Sequence, residues 1–148
     1  MKSTKLFSKY WIFVILLVSC NNGIKKGNKL SQVDLNYIHE IGLMDKDEQI
    51  ILFASQSDNK TSGNFITNKR LASYWIDERI EDSNINSAFY HEIDTILIKD
   101  LSSSWTYSSF LKVIKKDSTE FKIYVDDDSK KINQFFKKAV LEWEKRKK

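Results

Sequence analysis

Few groups in this sequence could do chemistry. Its 148 residues hold one cysteine, Cys20, and two histidines, His39 and His91. The histidines lie too far apart to form a metal pair on one helix. One cysteine can make neither an internal disulfide nor a cysteine-based metal site. H-E-x-x-H, G-x-S-x-G and a glycine-rich phosphate loop are all missing. Tyr90-His91-Glu92-Ile93-Asp94 places a histidine between acids, a grouping capable of acid–base work. Read as a strand, it sends adjacent side chains to opposite faces, so His91 and Glu92 do not converge. Asp126-Asp127-Asp128 has the carboxylates for calcium but not the D-x-[DN]-x-[DN]-G loop. Ahead of an amphipathic run, it reads as a helix cap. No metal and no cofactor is expected, and the chain reads as a non-enzyme.

Cys20 stands in a different setting. Lys2, Lys5 and Lys9 precede the apolar run Tyr10–Val18, and no acid occurs in the first nineteen positions. A basic segment, a short apolar segment and small residues make a secretory signal. The apolar run is too short to span a bilayer, which needs roughly 20 residues. Leu17-Val18-Ser19-Cys20 closely resembles the lipobox of bacterial lipoproteins. That resemblance implies a diacylglycerol on the Cys20 sulfur, cleavage before Cys20, and usually acylation of the new amino group. It places the protein in the bacterial cell envelope, lipid-anchored on a periplasmic or extracellular face. More than one acyl chain is needed for a firm hold, since a single myristoyl chain binds only marginally.

The formal charge must be recounted for the rest. The net +4 falls to +1 without the three lysines of residues 1–19, and to −2 for residues 30–148 once Lys25, Lys26 and Lys29 are also set aside. A domain of that balance carries no electrostatic footprint for nucleic acid. Residues 20–29 hold Gly23, Gly27 and the three lysines, and read as the lipidated cysteine plus a flexible tether. Its lysines either lie against anionic headgroups or are simply solvated.

Residues 30–148 must supply the elements that carry any site. Leu30, Val33, Tyr37, Ile38 and Ile41 fall on one helical stripe, and Gly42 suits its end. The period then changes. Gln49–Ser55 reads as a strand, Ser57–Asn64 as turn chemistry, and Phe65–Thr67 with Arg70–Asp77 as a hairpin about Asn68-Lys69. Glu78–Ser87 reads as a polar connection and Ala88–Lys99 as two short strands about His91-Glu92. Phe110–Lys115 and Thr119–Val125 form a further hairpin, with Phe121, Ile123 and Val125 on its buried face. Ile132, Phe135, Phe136, Ala139, Val140 and Trp143 make the stripe of a long C-terminal helix.

One short N-terminal helix, about seven antiparallel strands and a C-terminal capping helix argue an α+β roll. Asn64–Trp75 resembles, through Phe65, Thr67, Asn68, Arg70 and Leu71, the F-x-T-N-x-R-L signature of bacterial pleckstrin-homology-like and GRAM-like domains. Tyr90, Glu92, Ile93 and Ile96 resemble the Y-x-E-I-x-x-I step that follows. The resemblance runs over about residues 45–145. It implies an adaptor that binds lipid, peptide or protein, while the fold itself fixes no activity. In phosphoinositide-binding members, basic residues of the first strand and its loop hold the phosphates. Lys60, Lys69 and Arg70 are the candidates here, with Asp58 set against them.

Ser102–Ser109 carries Trp105 and Tyr107 among small hydroxyl residues, a composition suited to contact surfaces and equally to a ring folded under the loop. The leading expectation is therefore a lipoprotein displaying a non-enzymatic binding module for a protein, peptide or lipid. An inhibitor or immunity-type lipoprotein that neutralises a toxin or hydrolase, and an envelope hydrolase, stand as alternatives.

Overall fold

The computed structural model describes residues 23–148 apart from residue 105, with only the backbone of Ile80. The signal, Cys20 and Trp105 lie outside the described residues. β1 (Gly23–Lys26), β2 (Ile50–Ser55), β3 (Ser62–Thr67), β4 (Arg70–Trp75) and β5 (Asn84–Phe89) form one antiparallel sheet in chain order. β6 (Ile93–Lys99), β7 (Ser109–Lys115) and β8 (Glu120–Val125) form a second. The helices are α1 (Gln32–Glu40) and α2 (Ser129–Arg146). This is the expected α+β roll, with one strand more than the sequence suggested.

The additional strand is β1, inside the segment read as a flexible tether. Gly23 pairs with Ser55 and Lys26 with Leu52, so this stretch belongs to the domain. Its glycines serve close approach rather than looseness. A Cβ on Gly27 would collide with the Ile50 carbonyl, and Gly23 sits at φ +133° against the Asp127 carboxylate. The Ile24 N–H donates to Asp127 Oδ2 at 2.9 Å, across 103 residues of chain.

The five-stranded sheet is covered on both faces, and its burial pattern follows from that. Ile66, Leu71 and Ala88 face the second sheet and the α2 residues Ile132, Phe135, Phe136 and Ala139. Phe53, Phe65, Ala72 and Tyr74 face Leu35 and Ile38 of α1 with Leu43 and Met44. β3 is therefore buried at every position, whereas β8 alternates, with one face in solvent.

α1 starts later than its apolar stripe suggested. Ser31 is the N-cap, in a reciprocal capping box with Asp34. Leu30 then precedes the helix and shares an apolar cluster with Leu35, while Val33 is 60% exposed. The helix ends as expected at Gly42 (φ +78°), with Leu43 N–H donating to Ile38 O and Gly42 N–H to His39 O. α2 is capped by Asp128, whose side chain accepts from the Lys131 N–H at 3.0 Å. Among the described residues, no helix is long and apolar enough to cross a membrane.

Candidate functional site

Glu48, Arg70 and Thr67 form a buried polar knot where β3 turns into β4. Glu48 accepts from Arg70 Nε at 3.1 Å and Nη2 at 2.8 Å, and from the Thr67 hydroxyl. Thr67 Oγ1 in turn accepts from the Lys69 and Arg70 amides, each at 2.9 Å, which closes the two-residue hairpin. The Tyr90 hydroxyl donates to the Thr67 carbonyl at 2.6 Å, and burial pushes this phenol well above its ordinary value. Arg70 lies over the Phe89 ring at 4.1 Å and is only 5% exposed.

This arrangement corrects the reading of Arg70 as a phosphate-holding residue. Its guanidinium is enclosed by Glu48 and also reaches Asp45 at 2.9 Å. Lys69 bonds Asp47 at 2.7 Å, which raises its pKa and takes up its charge. Lys60 is exposed on the β2–β3 loop, apart from both. Asp58 in the same loop is held below the usual carboxylate range by hydrogen bonds from the Thr61 side chain and the Lys60 amide. The three basic candidates do not converge.

The histidines are likewise placed by local structure. His39 Nδ1 lies 2.7 Å from the Met44 carbonyl, beside the end of α1. His91 sits in a 3₁₀ turn, Tyr90–Glu92, not in a strand, and its ring stacks on Phe89. Glu92 is kept from it by a different task, accepting from the Phe89 N–H at 2.8 Å.

A cleft of about 730 Å³ lies where the two sheets part. One wall continues the inner face of the first sheet. Register puts Asn64, Ser73 and Asn86 in line, then Trp75 beside Asn84, on the face that elsewhere carries Ile66, Leu71 and Ala88. The apolar face thus turns polar as it leaves the core. The other wall is Phe110 with the outward side chains Lys122 and Tyr124 of β8. Lys122 Nζ stands 4.7 Å over the Phe110 ring, and Glu120 is paired with Lys112 at 2.8 Å. Tyr107, 69% exposed, and Ser108 close the mouth, and Gln56 Nε2 holds Ser108 Oγ at 2.6 Å.

Among the described residues β8 is an edge strand, paired with β7. Its Tyr124 N–H points away from β7 and donates to Asn64 Oδ1 at 2.9 Å. Peptide direction alternates along a strand, so the Lys122 and Glu120 peptide groups also face away from β7, on the cleft side. Of the expected contact pair, Tyr107 lines this cleft, while Trp105 lies outside the described residues. Sequence reading found β8 as a strand but did not bring it, Trp75, Asn84 or Asn86 to a site. The carboxamides fell in a stretch that read as a polar connection, and register alone aligns them.

Two solved structures share this architecture. A DUF1696-family protein with a pleckstrin-homology domain from Shewanella loihica PV-4 superposes with a TM-score of 0.52 at 14% identity, covering 82% of this chain and 97% of that one. A pleckstrin homology domain from Shewanella amazonensis SB2B gives 0.50 at 15% identity, covering 76% and 92%. No family model and no curated protein matches the chain. The likeness shows a pleckstrin-homology-like fold.

Proposed function

We propose that this chain is an envelope lipoprotein, anchored through acylated Cys20, whose domain is a non-enzymatic receptor for an extended peptide. The observation that carries the reading is the cleft. Asn84 and Asn86 repeat at the two-residue spacing of a strand, roughly 6.8 Å, which is also the repeat of an extended ligand. Across from them, outward peptide groups of β8 are suited to main-chain hydrogen bonding, the basis of strand-type recognition. Trp75, Tyr107, Tyr124 and Phe110 add aromatic area of the kind that dominates interfaces. Of the basic residues that a phosphate ligand would need, Lys69 and Arg70 are paired with acids and Lys60 stands apart from both.

The test begins with residues 21–148 as a soluble protein and peptides selected from a random display library. Binding peptides should shift the amide resonances of Lys122, Asn84 and Asn86. Tyr107→Ser should weaken capture while leaving unfolding midpoints nearly unchanged. Peptides that perturb only residues outside the cleft would overturn the site. Hydrolysis of the selected peptides by the pure protein would overturn the non-enzymatic reading. The anchor is checked separately: Cys20→Ala should abolish incorporation of a fatty-acid analogue.

A further inference from the structure

The anchor and the first strand are too close together for the domain to stand off the membrane. The geometry points to a domain seated directly on the bilayer headgroups through one end: the β2–β3 loop and the start of α2. This rests on the acylation of Cys20 proposed above.

Three residue steps separate Cys20 from Gly23. Fully extended, they reach at most roughly 10 Å. The headgroup layer of one leaflet takes up roughly 5–7 Å of that, since a bilayer is about 30 Å thick in its core and 40–45 Å overall. Gly23 is already part of the fold, paired with Ser55. Asp127 fixes the next residue through the Ile24 amide. No slack remains downstream, because Gly23–Lys26 is strand throughout.

The surface around Gly23 is then determined by its neighbours. Lys25 Nζ bonds Asn59 of the β2–β3 loop at 3.3 Å, and Asp127 leads into α2. Asp58 and Asp127 at this end are occupied within the protein, while Asp126 is exposed. Asp58 accepts from the Lys60 and Thr61 amides, and Asp127 from the Lys131 ammonium at 2.9 Å. Lys60 and Lys130 are exposed there. Lysines within a Debye length of an anionic leaflet are drawn to it, and with the anchor this short the bilayer is the partner this end meets. α2 runs away from it, and at its far end Arg146 meets the Tyr90 ring. The Lys116–Ser118 turn lies with that far end, tied by Lys116 N–H to Glu92 O.

The experiment uses the full chain, matured and reconstituted into phosphatidylethanolamine–phosphatidylglycerol vesicles. Acylation blocks the Cys20 sulfur, so a second cysteine is the one thiol available for a fluorophore. Labels at Lys60→Cys and Lys116→Cys are compared using headgroup spin-labelled lipid as quencher. The label at 60 should be quenched several-fold more than that at 116. A twenty-residue Gly/Ser insert between Asn22 and Gly23 should bring the ratio close to one. Equal quenching without the insert would overturn the seating while leaving the anchor intact. Mass spectrometry of the N-terminal peptide reads the anchor itself, and an unacylated Cys20 in membrane-matured protein overturns both readings.

Discussion

Neutralising Glu48 is the sharpest test of the buried knot. Its side chain is fully buried, and it holds Arg70, the Thr67 hydroxyl and, through Oε2, the Asp45 amide at 3.0 Å. Glu48→Gln keeps the shape and removes the charge that compensates Arg70. Breaking a buried ion pair from one side costs about 3–5 kcal/mol. Asp45, half-exposed and 2.9 Å from Arg70, keeps part of the compensation, at the level of an exposed pair, about 1 kcal/mol. The expected loss is therefore about 2–4 kcal/mol, a large share of the roughly 5–15 kcal/mol available to a domain. Urea unfolding of residues 21–148 is the assay, because guanidinium would screen the pair. Glu48→Met with Arg70→Met removes both charges and should cost less than the sum of the single changes, with a coupling of about 2 kcal/mol. A Glu48→Gln loss below about 1 kcal/mol, or additive single changes, would refute the knot as the reason for burying Arg70.

Phe136 is 2% exposed between α2 and the sheets, and Phe136→Ala should cost about 3–5 kcal/mol in the same assay; a loss near zero would mean the helix does not dock there. Gly27→Ala should destabilise the domain, and beginning the chain at Leu30 should lower its urea midpoint, because Ile24 packs on the core through β1; equal midpoints for chains starting at 21 and 30 would show β1 to be an ornament. For Asp127, burial would raise the pKa, yet hydrogen bonds from Ile24 and Lys131 hold it below the usual carboxylate range. A lowered folded value makes its contribution complete above the unfolded value of about 3.9 and lost as pH falls through the folded one. The Ile24 amide should therefore lose exchange protection in acid before the core amides do, and simultaneous loss would contradict this. Cleft binding should change little with salt, because Glu120 and Lys122 are engaged locally, whereas headgroup contact near Lys60 should weaken as the Debye length drops from about 10 Å at 0.1 M to 3 Å at 1 M.

What could be read from sequence depended on whether a segment's pattern has a local cause. β8 has solvent on one face, so Phe121, Ile123 and Val125 alternate visibly with Lys122 and Tyr124. α2 lays one stripe on the core and was equally plain. β1 was not legible, because four residues with two lysines carry no strand pattern; the edge of β2 and a carboxylate 103 residues away make it a strand. Glu48 looked like any surface acid, since nothing nearby in sequence shows that Arg70 and Thr67 will enclose it. The cleft escaped for the same reason. Asn84 and Asn86 become a row only when β5 registers against Ser73 and Trp75.

The residues behind the sequence resemblance can be separated from those that would choose a ligand. Thr67, Arg70, Tyr90 and Glu92 close a turn, bury a charge, brace a carbonyl and cap a 3₁₀ turn. All are internal tasks, and all lie where β3 turns into β4 and β5 runs into β6. The cleft draws instead on the polar ends of β4 and β5, the outward side of β8 and the loop before β7, and the proposed membrane contact on the β2–β3 loop and the start of α2. Exposed positions of this kind tolerate change far better than a buried charge does. A chain can therefore keep the knot and exchange the ligand, because altering Asn84 or Tyr107 leaves no buried group without its partner. For this reason the signature identifies the fold without identifying the ligand, and the ligand has to be sought among the carboxamides and rings of the cleft.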